Sequence, residues 1–214
     1  MTSTTEGVPA DKQDLLIELT GFELLSLLAV SAEDAARRTR EQLHLPEVAS
    51  DSPLLTAGVS SLLVRGLCSM ESGTLRPVGR LDALVTVLTK ADRWLEAAGI
   101  ADRTTGSALL VGSEYGGALL EPRPYSIWHA WPMPPSPDLP AAGARFVRSQ
   151  FENNAGRPFA GSLKLTTASS SRVAAVHVDA EGRWELATGP GDSVPDAAPT
   201  AADPSFTVLA EALA

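Results

Sequence analysis

Ile17-Glu18-Leu19-Thr20-Gly21-Phe22-Glu23-Leu24-Leu25 runs two patterns together without a gap. Leu15 to Leu19 is a short apolar run of strand type. Thr20 reads as a helix N-cap, and Glu23 stands three residues on. In that T-x-x-E capping box, the hydroxyl and the carboxylate each satisfy a backbone N–H that the first helical turn leaves unpaired. The helix that follows carries Phe22, Leu24, Leu25, Leu27 and Leu28. It is apolar all round, which marks a buried helix, not a surface one. A strand passing straight into a buried helix sets the expected fold class: α+β, with N-terminal helices packed on a mainly antiparallel β-sheet.

More helices are expected next. Ser31 with Asp34 repeats the capping pattern, and the helix from Ala32 to Leu43 places Glu33–Arg37 and Asp34–Arg38 at i,i+4. Arg37, Arg38 and Arg40 form a basic cluster that neighbouring acids balance, so it reads as a solvated face. Ser52-Pro53 opens a third helix with proline in the first turn, and Leu55, Val59, Leu62, Leu63 and Leu67 recur at helical spacing. After a break at Glu71-Ser72-Gly73, a fourth helix is expected from Pro77 to a C-terminal Gly99, carrying Leu81, Leu84, Val85, Leu88 and Leu95. The pair over residues 52–98 is helix-turn-helix-like. Its second helix sets Asp82, Asp92 and Glu96 against Arg80, Lys90 and Arg93. A DNA-reading helix should be net basic on its outer face, so this one is a poor candidate.

After Gly99 the periodicity turns strand-like. Strands are expected at Ser107–Val111, Gly117–Glu121 and Tyr125–Trp131. Seven prolines fall between Pro122 and Pro140, which places these strands at edges or running into loops. Leu139 to Phe151 has room for a short helix, and Leu163 and Leu165 alternate with Lys164 and Thr166. Arg172–Val178 and Arg183–Ala187 form a hairpin around Asp179-Ala180-Glu181-Gly182. The expected organisation is a disordered tail over 1–13 and one α+β domain over 14–214. Within that domain, 14–100 is helical, 101–188 sheet-rich, 189–204 irregular and 205–214 a short docking helix. No internal repeat is evident.

Composition removes several function classes. The 214 residues carry a formal charge of -9, and both halves of the chain are acidic. Phosphate binding needs a positive footprint, so the acid excess argues against nucleic acid as a partner and against an anionic membrane surface. The longest apolar region, Leu15 to Val30, contains Glu18 and Glu23 and is too short to insert in a bilayer. The polar N-terminus does not resemble a signal peptide, which leaves a cytoplasmic location as the expectation. The residue usage has the bias of a GC-rich bacterial genome. One cysteine, Cys68, lies in an apolar stretch and reads as a buried structural thiol. With His44, His129 and His177 far apart, neither a metal site nor a cofactor is expected.

Catalytic patterns fail on context. Gly58-Val59-Ser60-Ser61-Leu62 lacks the second glycine of a nucleophile elbow and sits inside an expected helix. Gly112-Ser113-Glu114-Tyr115-Gly116-Gly117 lacks phosphate-loop spacing and reads as a turn between strands. His129 has no carboxylate adjacent in sequence, since Glu121 and Asp138 lie beyond prolines. More informative is the segment from Tyr125 through Trp128 and Trp131 to Met133. It concentrates aromatics in a protein that is only 5% aromatic, on a proline-stiffened backbone. Tyr125, Trp128, Trp131 and Met133 are therefore candidate partner-binding anchors, the alternative being that they cap the sheet's core.

Ile17 to Leu25 also resembles the strand-then-capped-helix opening of the EspG family, the cytosolic chaperones of mycobacterial type VII secretion. Leu55-Thr56-Ala57-Gly58 through Arg65-Gly66-Leu67, then Ser72-Gly73-Thr74-Leu75, is similar to that family's helix and glycine turn. The hairpin with Asp179 and Gly182-Arg183-Trp184 resembles its C-terminal hairpin. The resemblance implies an antiparallel sheet flanked by helical bundles, no enzymatic activity, and a groove holding the tip of a helical secretion substrate. The chain departs from the family in its shorter length and in its Pro/Trp segment.

The leading expectation is a non-catalytic, cytosolic, chaperone-like protein that binds an apolar helical region of a secretion-type protein partner. One alternative is a small-molecule-binding protein or enzyme with a pocket near 122–140. A second is a transcriptional regulator using residues 52–98. The oligomeric state is left open.

Overall fold

A computed structural model describes residues 15–101, 104–154, 158–191, 193 and 196–214. The expected tail over 1–13 lies outside them. The described residues form six α-helices and two sheets. The order is β1 (Ile17–Thr20), α1 (Gly21–Ala29), α2 (Asp34–Gln42), α3 (Pro53–Val64), a hairpin of β2 (Cys68–Glu71) and β3 (Thr74–Pro77), and α4 (Arg80–Thr89). Then come β4 (Arg93–Ala101), β5 (Thr104–Ser113), β6 (Gly116–Arg123), β7 (Ile127–Met133) and α5 (Leu139–Asn153). The chain ends with β8 (Phe159–Thr167), β9 (Ser171–Val178), β10 (Trp184–Pro190), β11 (Ala197–Thr200) and α6 (Thr207–Glu211). Nine strands make one antiparallel sheet in the order β1-β7-β6-β5-β4-β8-β9-β10-β11. The fold is α+β with most of its helices N-terminal.

The opening motif folds as its residues dictate. Thr20 Oγ1 accepts from the Glu23 amide at 3.2 Å, and Glu23 Oε2 accepts from the Thr20 amide at 2.8 Å. Glu23 is fully buried. Its carboxylate also accepts from Ser61 Oγ at 2.7 Å and from Arg65 Nη1 at 2.7 and 2.9 Å. Arg65 Nη2 donates to the Glu18 carbonyl at 2.9 Å. One carboxylate thus ties β1, α1 and the end of α3. Beside it, Ser26 Oγ donates to the Phe22 and Leu55 carbonyls, both at 2.9 Å. Gly58 of α3 lies against this point: a Cβ there would stand 2.2 Å from both the Phe22 carbonyl oxygen and Ser26 Oγ. That glycine belongs to a close helix crossing.

Several sequence expectations change. The fourth helix stops at Thr89, and Arg93 to Ala101 is strand β4. Trp94 packs in the core on one face of that strand, and Leu95 and Ala97 pack in the core on the other. Burial on both faces removes the alternation that separates strand from helix. Gly99 is a mid-strand residue, where a Cβ would meet Gln150 Cβ at 2.7 Å. The expected break at 71–73 is the turn of a hairpin, with Ser72 and Gly73 both at positive φ. Two helices separated by a β-ribbon do not make a helix-turn-helix. Helix α2 begins two residues late, with no side-chain cap. Its Arg37 pairs with Asp34 and Glu41, while Glu33 reaches across to Lys90 Nζ at 2.6 Å.

Strands β6 and β7 are interior, despite Pro122 and Pro132. Pro122 lies past the end of the β5 ladder and Pro132 past the end of the β1 ladder, so each is paired on one side only. The stretch 189–204, expected to be irregular, contains β11 as an edge strand that includes Pro199. The late hairpin and the C-terminal helix match expectation: Gly182 sits at φ 82°, and Phe206, Leu209 and Leu213 are buried. Phe206 meets the rings of Phe151, Phe159 and Trp184.

Gly58→Ala should destabilise the fold by about 2–3 kcal/mol, because the new methyl meets backbone. Urea unfolding measures it, and a loss below about 0.5 kcal/mol would contradict the close α1–α3 crossing.

Candidate functional site

The sheet is covered in halves. On one face α4 packs on β5 and β6, and α2 on β4. On the other face α5 packs on β4, β5 and β8, and α6 on β8 and β9. Each end of the sheet is therefore thinly covered on one side, and the two thin regions lie on opposite sides.

The first is at β1-β7-β6. Register places Glu18, His129 and Glu121 in one row, and Leu119 opposite Trp131 in the next. Ile127, His129, Trp131 and Met133 of β7 are all half-buried, whereas Leu110 and Leu95, farther along the same face, are fully buried. Trp131 and Met133 share this face with Leu119, and Leu119 and Met133 pack on the α5-side core. Trp128 points the other way and packs against the N-terminal core that includes Ala130. Tyr125 is not in the strand at all. It sits in a tight turn, Pro124–Ser126, at φ 64° and ψ 30°, and is 95% exposed. Ser126 is also at positive φ, at 55°. The four candidate residues thus divide: Trp131 and Met133 share one face, Tyr125 stands at the turn, and Trp128 lies on the opposite face.

Left-handed backbone is unfavourable for side chains with a Cβ. A fully exposed tyrosine held there gains nothing from packing in the free protein, and such strain gathers at functional sites.

His129 has the carboxylates that linear reading denied it. Its Nε2 lies 3.1 Å from Glu18 Oε1, and its Nδ1 accepts from Arg123 Nε at 3.3 Å. Arg123 Nη2 in turn donates to Glu121 Oε2 at 2.5 Å. Trp131 sits edge-on to the imidazole at 5.7 Å. Pro122 and Pro124, between Glu121 and His129, do not separate them, because strand pairing sets the two side by side. Only the register carries that information. The row gives charge complementarity beside an apolar patch.

The second thin region was not foreseen. On the α2/α4 side of β4-β8-β9-β10, Ala98, Ala160, Ser162, Ala175 and Ala187 floor a shallow depression. Ile100, 50% exposed, stands at its margin, with His177 and Glu185 3.7 Å apart. Its signal was present in the sequence as small residues at alternate positions of several strands.

The remaining motifs are structural. Glu114-Tyr115 is the turn between β5 and β6. The Cys68 thiol is buried in β2, and its pKa is raised first by burial and then by the Glu23 carboxylate. Among the described residues, no group of three or more His, Cys, Asp or Glu side chains could hold a metal ion. No helix among them is long and apolar enough to cross a membrane.

No protein-family model and no curated protein matches the sequence. Solved structures match its fold. One is the Mycobacterium tuberculosis type VII secretion system chaperone EspG5, solved in complex with a PE25–PPE41 dimer. It superposes with a TM-score of 0.53 over 92% of this chain and 95% of the other, at 10% identity. The chain has an EspG5-like fold. The resemblance in the opening motif and the late hairpin therefore extends to the order of elements along nearly the whole chain.

Tyr125→Gly should raise stability by about 0.5–1 kcal/mol, since glycine adopts positive φ without the Cβ penalty. Thermal unfolding tests it, and destabilisation would show that Tyr125 packs in the free protein.

Proposed function

We propose that this chain is a non-catalytic, cytosolic, chaperone-like protein that holds an apolar helical region of a secretion-type partner. The observation that carries the reading is the fold likeness to EspG5 along nearly the full length of both chains. EspG5 was solved with a PE25–PPE41 dimer bound, so a PE–PPE-type dimer is the first partner to test.

The contact surface is assigned to the β6–β7 end of the sheet. Trp131 and Met133 supply the apolar centre, Tyr125 reaches out from the turn, and the Glu18-His129-Arg123-Glu121 row supplies a polar rim. An aromatic centre with a polar rim is the arrangement that concentrates binding energy in few residues. Trp128 supports the strand from behind.

The test is co-purification of the full chain with a PE–PPE dimer from the same genome, followed by calorimetry on the isolated complex. Trp131→Ala and Met133→Ala should each weaken binding by about 2 kcal/mol, or roughly thirtyfold, with the fold intact. A folded chain that forms no complex would remove the chaperone reading. A complex insensitive to both substitutions would move the contact to another surface.

A further inference from the structure

The bare face on the α2/α4 side of the sheet is not used by the surface around Trp131 and Met133, which looks out from the other side. Strand register lays its side chains out in rows. The central row, from β4 to β11, is Ala98, Ser162, Ala175, Ala187 and Ala197. The next row, toward the rim of the sheet, is Ile100, Ala160, His177, Glu185 and Pro199. Helix α2 meets β8 at the opposite end of the strand, where Arg38 Nη1 donates to the Thr167 carbonyl at 3.4 Å. Ile100 is left 50% exposed.

Two features favour a second copy of this chain as the occupant. The first is shape. A two-fold axis parallel to β9 turns the pattern of rows onto itself. Ala175 then meets Ala175 of the second copy, Ser162 meets Ala187, Ala98 meets Ala197, and Ile100 meets Pro199. Each central contact joins small side chains, so no large group holds the two sheets apart. The helices cover only the other half of this side, and each copy's bare half fills the step beside the other's helical layer. The second feature is charge. A chain of net charge -9 repels its own copy over most of its surface. On this face the acids have basic partners within the chain: Glu96 lies 3.5 Å from Lys164, and Glu185 lies 3.7 Å from His177. Both pairs stand in the rows that border the central one. Five strands about 4.8 Å apart, over three rows roughly 7 Å apart, cover about 400 Å² per copy. That area is in the range of weak, reversible association.

We infer that this chain forms a weak two-fold dimer through the bare α2/α4-side face of β4-β8-β9-β10-β11. Ala175 lies on the axis, and the surface around Trp131 stays free on the other side of the sheet. The dimer forms with no other partner bound.

Sedimentation equilibrium of the full chain tests this. A monomer–dimer equilibrium should appear between about 10 and 300 µM. Ala175→Arg brings like charges together on the axis and should weaken it by about tenfold or more. Trp131→Ala, on the other side, should leave it unchanged. Ala175→Cys treated with a short bis-maleimide should give a covalent dimer, and Thr188→Cys, on the opposite face of β10, should not. Thermal melts check folding; if Ala175→Arg is unfolded, the two cysteine variants decide. A chain that stays monomeric to about 300 µM would overturn the inference. So would a dimer insensitive to Ala175→Arg, one lost on Trp131→Ala, or cross-linking at position 188 and not at 175.

Discussion

The carboxylate of Glu23 is the point on which the N-terminal half is assembled. It closes the capping box with Thr20, accepts from Ser61 and pairs with Arg65 at 2.7 Å, with no solvent contact of its own. Removing one member of a fully buried ion pair costs about 3–5 kcal/mol; here the cost is lower, because Arg65 is 39% exposed. The geometric effect is as important as the energy. The carboxylate fixes where β1 ends, how α1 leaves it, and how α3 lies across α1. A second buried tie continues the same construction: Thr39 donates to the Leu88 carbonyl and accepts from Trp94 Nε1, both at 2.8 Å, joining α2 and α4 to the sheet.

How legible these features were depended on how local they are. The capping box, the proline-led start of α3 and the Gly182 hairpin depend on residues within a few positions of each other, and each folds as its spacing indicates. Strand β4 reads as helix in sequence because Trp94 and Leu95 are both buried, on opposite faces, so no polar residue marks the alternation there. The roles of Gly58 and Gly99 are set by helices that arrive from elsewhere in the chain, and nothing beside them in sequence states this.

The candidate site was legible in composition and not in arrangement. Its aromatic enrichment was visible, but Trp128 and Trp131 are three positions apart, an odd number of steps along a strand, and they face opposite ways. The row Glu18-His129-Glu121 exists only once β1, β7 and β6 are paired. Arg40 reads in sequence as part of a solvated basic face, yet its side chain is only 19% exposed, because the loop and helix that enclose it lie beyond its own helix in the chain.

The two ends of the large sheet share a property. At β1, the Glu18 carbonyl and the Thr20 amide are occupied by the Arg65 and Glu23 side chains. At β11, Pro199 has no amide hydrogen to offer. Neither border presents an unbroken row of free backbone groups to an incoming chain. Growth of the sheet by lateral addition, whether by a second copy or by an extended peptide, is thereby discouraged at both limits. A polypeptide that engages this sheet must meet the side chains on its broad surfaces, which favours recognition of a folded element over recognition of an extended one.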